Sequence, residues 1–128
     1  MPHLTLEYSA NLEGVVDLND LCKLLAKTLQ ETKLFELGAI RVRAVRCDAY
    51  VIADDLPQNA FLDAGLRIGV GRSHDDKKRV GEAMFAATTE FLKTQFTTPH
   101  FALSLEIREI DAELSWKKNA IHPRLRDR

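Results

Sequence analysis

The chain has 128 residues, 45% of them apolar and 29% charged, which suits one folded domain and excludes a disordered tail or a fibre. Eighteen basic against nineteen acidic side chains leave a net charge of -1, so no general affinity for nucleic-acid backbones or anionic membranes is expected and any anion recognition must be local. No uncharged apolar run approaches the ~18 residues of a membrane span, and the start Met1-Pro2-His3-Leu4 lacks the regions of a signal peptide. The expectation is a cytoplasmic protein in which Cys22 and Cys47, too far apart for a zinc motif or a disulfide framework, are buried thiols.

Leu4, Leu6 and Tyr8 alternate with His3, Thr5 and Glu7, the period of a strand with one buried face. From Asp17 to about Thr32, Leu18, Leu21, Cys22, Leu25 and Leu29 recur at three and four, which predicts an amphipathic helix closed by a turn around Gly38. A second strand is expected over about 39–53. Ile40 and Val42 alternate there with Arg41 and Arg43 before the pattern slips by one to Val45 and Cys47, which suggests a bulge near Ala44. Asp54-Asp55-Leu56-Pro57-Gln58-Asn59 punctuates the chain, and the plan then starts again. Leu62, Ala64, Leu66 and Ile68 make a third strand and Gly69-Val70-Gly71 a turn. Ser73 to about Phe96 makes a second helix, and Phe101, Leu103, Leu105 and Ile107 a fourth strand.

Two strand-helix-strand units at an offset of about sixty residues read as a duplication. The expected architecture is α+β: a single domain over 1–128, with repeat one at about 2–53, repeat two at about 60–110, and a C-terminal arm or hairpin at 111–128. Right-handed crossovers place both helices on one side of a four-stranded mixed sheet. The other face would carry Thr5, Glu7, Arg41, Arg43, Asp63, Arg67, Ser104, Glu106 and Arg108, charges able to pair across strands or across subunits, so an oligomer is expected.

Pro2 is the first candidate for chemistry. A small second residue lets Met1 be removed, and the Pro2 nitrogen then changes from an amide into a secondary amine that can act as a base near neutral pH if burial or nearby cations lower its pKa. The other reading is that proline merely opens a strand. Arg41 and Arg43, two apart on a strand, share a face and either grip a carboxylate or pair with acidic neighbours. Gly71-Arg72-Ser73 leads from strand into helix, with Ser73 placed to cap and Arg72 beside the helix start, although a tight turn accounts for the glycines equally well. If a pseudo-twofold axis relates the repeats, Pro2, Arg41 and Arg72 all reach one sheet edge. His3 lies beside Pro2. His74, Asp75 and Asp76 suit a helix start, His100 and His122 show no pattern, and Asp54 and Asp55 point apart. No metal-ligand spacing and no serine or cysteine nucleophile context is present.

Pro2 after Met1, Gly71-Arg72-Ser73 between strand and helix, and the duplicated plan resemble the tautomerase superfamily. Within it, Pro2-His3, Ala39-Ile40-Arg41-Val42-Arg43, the run from Leu66 to Ser73, Leu103-Ser104-Leu105-Glu106-Ile107 and Lys118-Asn119-Ala120-Ile121-His122 resemble the 5-carboxymethyl-2-hydroxymuconate isomerases. The segment 50–59 and the basic tail 124–128 match least. The resemblance implies a cofactor-independent isomerase acting on a polycarboxylate enol after ring cleavage of homoprotocatechuate. Pro2 would be base and then acid, Arg41 and Arg72 carboxylate ligands, and Arg43 a further candidate. It also implies a homotrimer with the sheets facing inward, and neither nucleic acid nor membrane as a partner. Two alternatives stand beside it: the same chemistry on another enol acid, and a non-catalytic anion-binding trimeric module.

Overall fold

A computed structural model describes residues 1–127. The first unit is β1 (His3–Ser9), α1 (Leu18–Glu31) and β2 (Arg41–Cys47), and the second is β3 (Ala60–Ile68), α2 (His74–Phe91) and β4 (Phe101–Glu109). β1 pairs parallel with β2, β3 pairs parallel with β4, and β1 and β3 run antiparallel at the centre, giving the order β2-β1-β3-β4. A mixed four-stranded sheet with two helices over one face is therefore the architecture, as the alternation of apolar residues predicts. A short third helix, α3 (Ile121–Arg126), ends the C-terminal arm and packs on the 3-10 turn Leu37–Ala39. Among the described residues no helix is long and apolar enough to cross a membrane.

The period-two residues Leu4, Leu6, Leu62, Ala64, Leu66 and Ile68 point to the helices and are buried with Leu21, Leu25 and Leu29 of α1 and Val80 and Met84 of α2. Asp17 caps α1 by accepting a hydrogen bond from the Asp20 amide at 3.0 Å, and Ser73 caps α2 in the same way from Asp76 at 3.1 Å. α1 stops at Glu31, where Lys33 takes a left-handed φ of 61°, so the chain turns five residues earlier than Gly38.

Two expectations are corrected. β2 pairs with β1 in unbroken register from His3↔Arg41 to Ser9↔Cys47, so there is no bulge at Ala44. Val42 and Ala44 face the core side, and Val45 stands exposed on the opposite face of an edge strand, which is what made the pattern look shifted. Cys22 and Cys47 are half-buried, because one lies on the flank of the α1 stripe and the other ends the edge strand.

The open face is ordered by charge. One row of directly opposed residues crosses the whole sheet as Arg41, His3, Arg67 and Arg108, and four residues further along β1 Glu7 lies opposite Asp63. Ser104 donates to Asp63 at 2.6 Å and Arg108 pairs with Glu106 along its own strand at 2.7 Å. Cross-strand ion pairing, the expectation for an isolated chain, is not what the register produces. Like charges directly opposed are destabilising, and the register gathers basic side chains at one end of this face and acidic ones at the other.

Burial, followed by the charges of Arg67, Arg43 and Arg41, lowers the pKa of His3. The unfolded chain therefore takes up this proton first, so this contribution to stability is complete above the unfolded value near 6.5 and is lost as the pH falls below it. Urea midpoints measured at about pH 7.5 and about pH 5 should differ less in His3→Gln than in the parent chain; an equal difference would remove His3 from the acid sensitivity.

Candidate active site

The antiparallel centre of the sheet brings three strand ends to one edge: the start of β1, the start of β2 and the end of β3. The Arg41 amide donates to the Pro2 carbonyl at 3.1 Å, locking the two strand starts together. Gly71, with a left-handed φ of 111°, turns the chain out of β3 so that Arg72 returns to the same edge. Pro2, Arg41 and Arg72 thus converge as the topology predicts.

A cavity of about 500 Å³ opens at this edge, lined by Met1, Pro2, Phe35, Arg72, Lys117 and His122 among others. The Pro2 ring is fully buried beneath Met1. The Arg72 guanidinium donates to the carbonyls of Leu34 at 3.0 Å and Gly69 at 3.2 Å, and lies 4.5 Å from the centroid of the Phe35 ring. Arg41 is half-buried and donates to the Ala39 carbonyl at 2.9 Å. Both guanidiniums are thus held by neutral carbonyls, and neither forms an ion pair among the described residues.

Arg43 is placed elsewhere. It lies exposed on the open face, 3.4 Å from Nδ1 of His3, and does not line the cavity. His74 is the first residue of α2, with Asp75 and Asp76 in the same first turn. His100 approaches Asn59 at 3.1 Å, and Asp54 accepts from Asn59 at 2.7 Å, so both serve the central turn. Among the described residues no three His, Cys, Asp or Glu side chains are grouped to hold a metal ion.

The arm supplies what the sequence did not reveal. Asn119 donates to the Gly38 carbonyl at 2.9 Å and accepts from the amides of Ile121 and His122, which fastens the arm beside the cavity. Arg126 clasps Glu36 with two hydrogen bonds of 2.6 and 2.7 Å, and that contact holds the Glu36 carboxyl below its usual range. The nearest acid of the cavity is thereby neutralised. Lys117 and His122 join the lining from a segment in which no periodicity distinguishes an inward residue from a solvated one.

The chain terminus sits in this cationic setting. Burial first, then Lys117, Arg72 and Arg41, lower the pKa of the Met1 amine. A neutral amine among unpaired cations can accept a proton while the cations hold carboxylates.

The order β2-β1-β3-β4, with both long helices on one face and a proline opening the central strand, defines a tautomerase-like fold. It recurs at low identity in a fused 4-OT protein described as a symmetric trimer, 14% identical with a TM-score of 0.65 over 91% of this chain and 93% of that one. Much nearer is the 5-carboxymethyl-2-hydroxymuconate Delta-isomerase of Escherichia coli, 35% identical over 126 residues that cover 95% of this chain and 97% of that protein. The crystal structure of a 5-carboxymethyl-2-hydroxymuconate isomerase from Deinococcus radiodurans R1 is 40% identical, with a TM-score of 0.91 over 97% of this chain and 93% of that one. The family pattern matches residues 2–125, and the chain belongs to the 5-carboxymethyl-2-hydroxymuconate isomerase family.

Gly38 packs so closely under the arm that a Cβ there would meet the His122 ring at 2.8 Å and its backbone at 3.3 Å. Gly38→Ala should therefore lift α3 and cost about 1–3 kcal/mol by overpacking. Limited trypsin digestion should then cut the tail at Arg124 or Arg126 faster than in the parent, and an unchanged cleavage rate would show that the arm is not held by this contact.

Proposed function

We propose that the chain is a 5-carboxymethyl-2-hydroxymuconate isomerase in which the amine of Pro2, freed by removal of Met1, carries the proton. The neutral amine takes the proton from the 2-hydroxyl of the enol substrate, breaking the O–H bond. The O–H pair forms the carbonyl bond at carbon two, the pair between carbons two and three becomes the double bond between carbons three and four, and the pair between carbons four and five takes the proton back from the amine at carbon five, leaving the 2-keto product. The amine is thus base and then acid, and ends as it began. Arg72 and Arg41 bind substrate carboxylates and stabilise the negative oxygen that develops at carbon two. Arg43, exposed on the open face beside His3 and not among the cations acting on the terminal amine, has no part in this scheme.

The observation that carries the reading is the unpaired positive charge around the terminus of a chain that is net negative overall. A polyanionic substrate would supply the missing counter-charge, and burial together with the same cations favours the neutral form of an amine at this place. Family membership narrows the substrate, and the reaction then belongs to the breakdown of homoprotocatechuate. An assembly of three copies, with the charged sheet faces turned to one another, would bring acidic ends to basic ones.

Loss of the methionine should be visible by intact mass, and only the processed protein should change the ultraviolet absorbance of the hydroxymuconate. Pro2→Ala should lower kcat by about 10²–10⁴, the range of a positioned proton carrier, and a variant with undiminished kcat would rule the proline out. The rate should rise with pH until the amine is neutral. Burial, Lys117, Arg72 and Arg41 depress the Met1 amine, and a Pro2 amine one residue further on would face the same cations, so the midpoint of the rise in kcat/KM should lie below the ordinary value of a chain terminus. A midpoint at or above that value would separate the amine from the rate.

A further inference from the structure

The two strand-helix-strand units deliver Pro2 and Arg72 to the cavity, with Arg41 at the same sheet edge, while Lys117 reaches it from outside both units, as does Arg126, which is taken by Glu36. We infer that Lys117, carried by the C-terminal arm, binds a further carboxylate of the substrate and so selects tricarboxylates over dicarboxylates. This rests on the reading of the site as one for an enol polycarboxylate.

The arm is strung between fixed points. At its start the Ile110 amide donates to the Ile68 carbonyl at 2.7 Å, and Asp111 accepts from the amides of Glu113 and Leu114. At its end Asn119 is fastened to Gly38 and Arg126 to Glu36. Lys117 lies two residues before Asn119, so its backbone is delivered to the cavity while its side chain keeps its freedom.

Its position is distinctive. A second cavity of about 500 Å³ lies on the other side of the chain terminus, lined by His3, Arg67 and Trp116 among others. Met1 and Lys117 are the two residues that line both cavities. With Met1 removed, Lys117 stands at the seam of one longer trough that has Pro2 and Arg72 in its first half. A branched acid seated with its enol at Pro2 and one carboxylate at Arg72 extends its remaining arm along that trough.

Charge points the same way. Lys77 is paired with Glu109, Lys93 with Glu90 and Arg126 with Glu36, whereas Lys117 forms no ion pair among the described residues. Asp111 and Glu113 lie on the same arm, but Asp111 is occupied by its own turn and neither acid lines the two cavities. An ammonium on a flexible stem is a mobile point charge with three donors, suited to a carboxylate at the end of a rotatable methylene, while the planar guanidinium of Arg72 suits one fixed in place.

The test needs no turnover. Tricarballylate and glutarate share a carbon chain and differ by one carboxylate, so calorimetry on the processed protein reads that carboxylate alone. The parent should bind tricarballylate about tenfold more tightly than glutarate, the size expected for one charge-assisted hydrogen bond near the surface. Lys117→Met should remove most of that preference with glutarate affinity unchanged, and Lys117→Arg should restore part of it. Equal affinities in the parent, or a Lys117→Met variant that keeps the preference or weakens both acids alike, would overturn the assignment.

Because Lys117 is exposed, a thermal melt of Lys117→Met should match the parent. With the hydroxymuconate, the variant should raise KM about tenfold with kcat within about threefold, and the pH midpoint of kcat/KM should move upward as one cation leaves the amine. If the parent shows no isomerisation while the calorimetric preference follows Lys117, the isomerase reading falls and the carboxylate site stands.

Discussion

The antiparallel pairing of β1 with β3 is the constraint on which the site depends. Parallel pairing inside each half sets β2 beside β1 and β4 beside β3, but only the reversal at the centre brings the beginning of one half and the turn after the third strand to a common edge. That pairing is held on its buried side by Leu4, Leu6, Leu62, Ala64 and Leu66, all facing the helices. A slip of one residue in it would turn those side chains out to solvent, so the apolar pattern that builds the core also fixes which residues meet at the edge.

Electrostatics then distinguish this edge from the rest of the surface. Arg72 and Arg41 spend their hydrogen bonds on carbonyls, Glu36 is taken by Arg126, and Lys117 is left without a carboxylate. Positive charge that no local acid balances raises the potential where the chain begins. Two tendencies meet there: the potential favours anions, and burial, followed by these cations, lowers the pKa of the Met1 amine.

Much of the fold was legible because its strands have one buried face. Leu62 to Ile68 and Phe101 to Ile107 alternate plainly, and the three-and-four spacing of α1 is equally clear. The reading slipped where burial is partial. On β2 an exposed valine and a half-buried cysteine mimicked a bulge, because an edge strand no longer forces apolar residues inward. The convergence of Pro2, Arg41 and Arg72 at one edge followed from topology, while Arg43 shares the strand face of Arg41 yet lies further along β2, exposed beside His3. Lys117 and His122 were hidden for a different reason: the arm has no regular period, and what folds it back is a side-chain fastening at Asn119 and a close fit over Gly38.

The clasp between Arg126 and Glu36 has one more implication. It places the partner of an acid that lines the cavity in the last turn of the short helix α3, where helices fray most easily. With α3 frayed, every strand and both long helices would remain, yet Glu36 would present a bare carboxylate to the cavity. The order of one short helix thereby sets the polarity of the cavity.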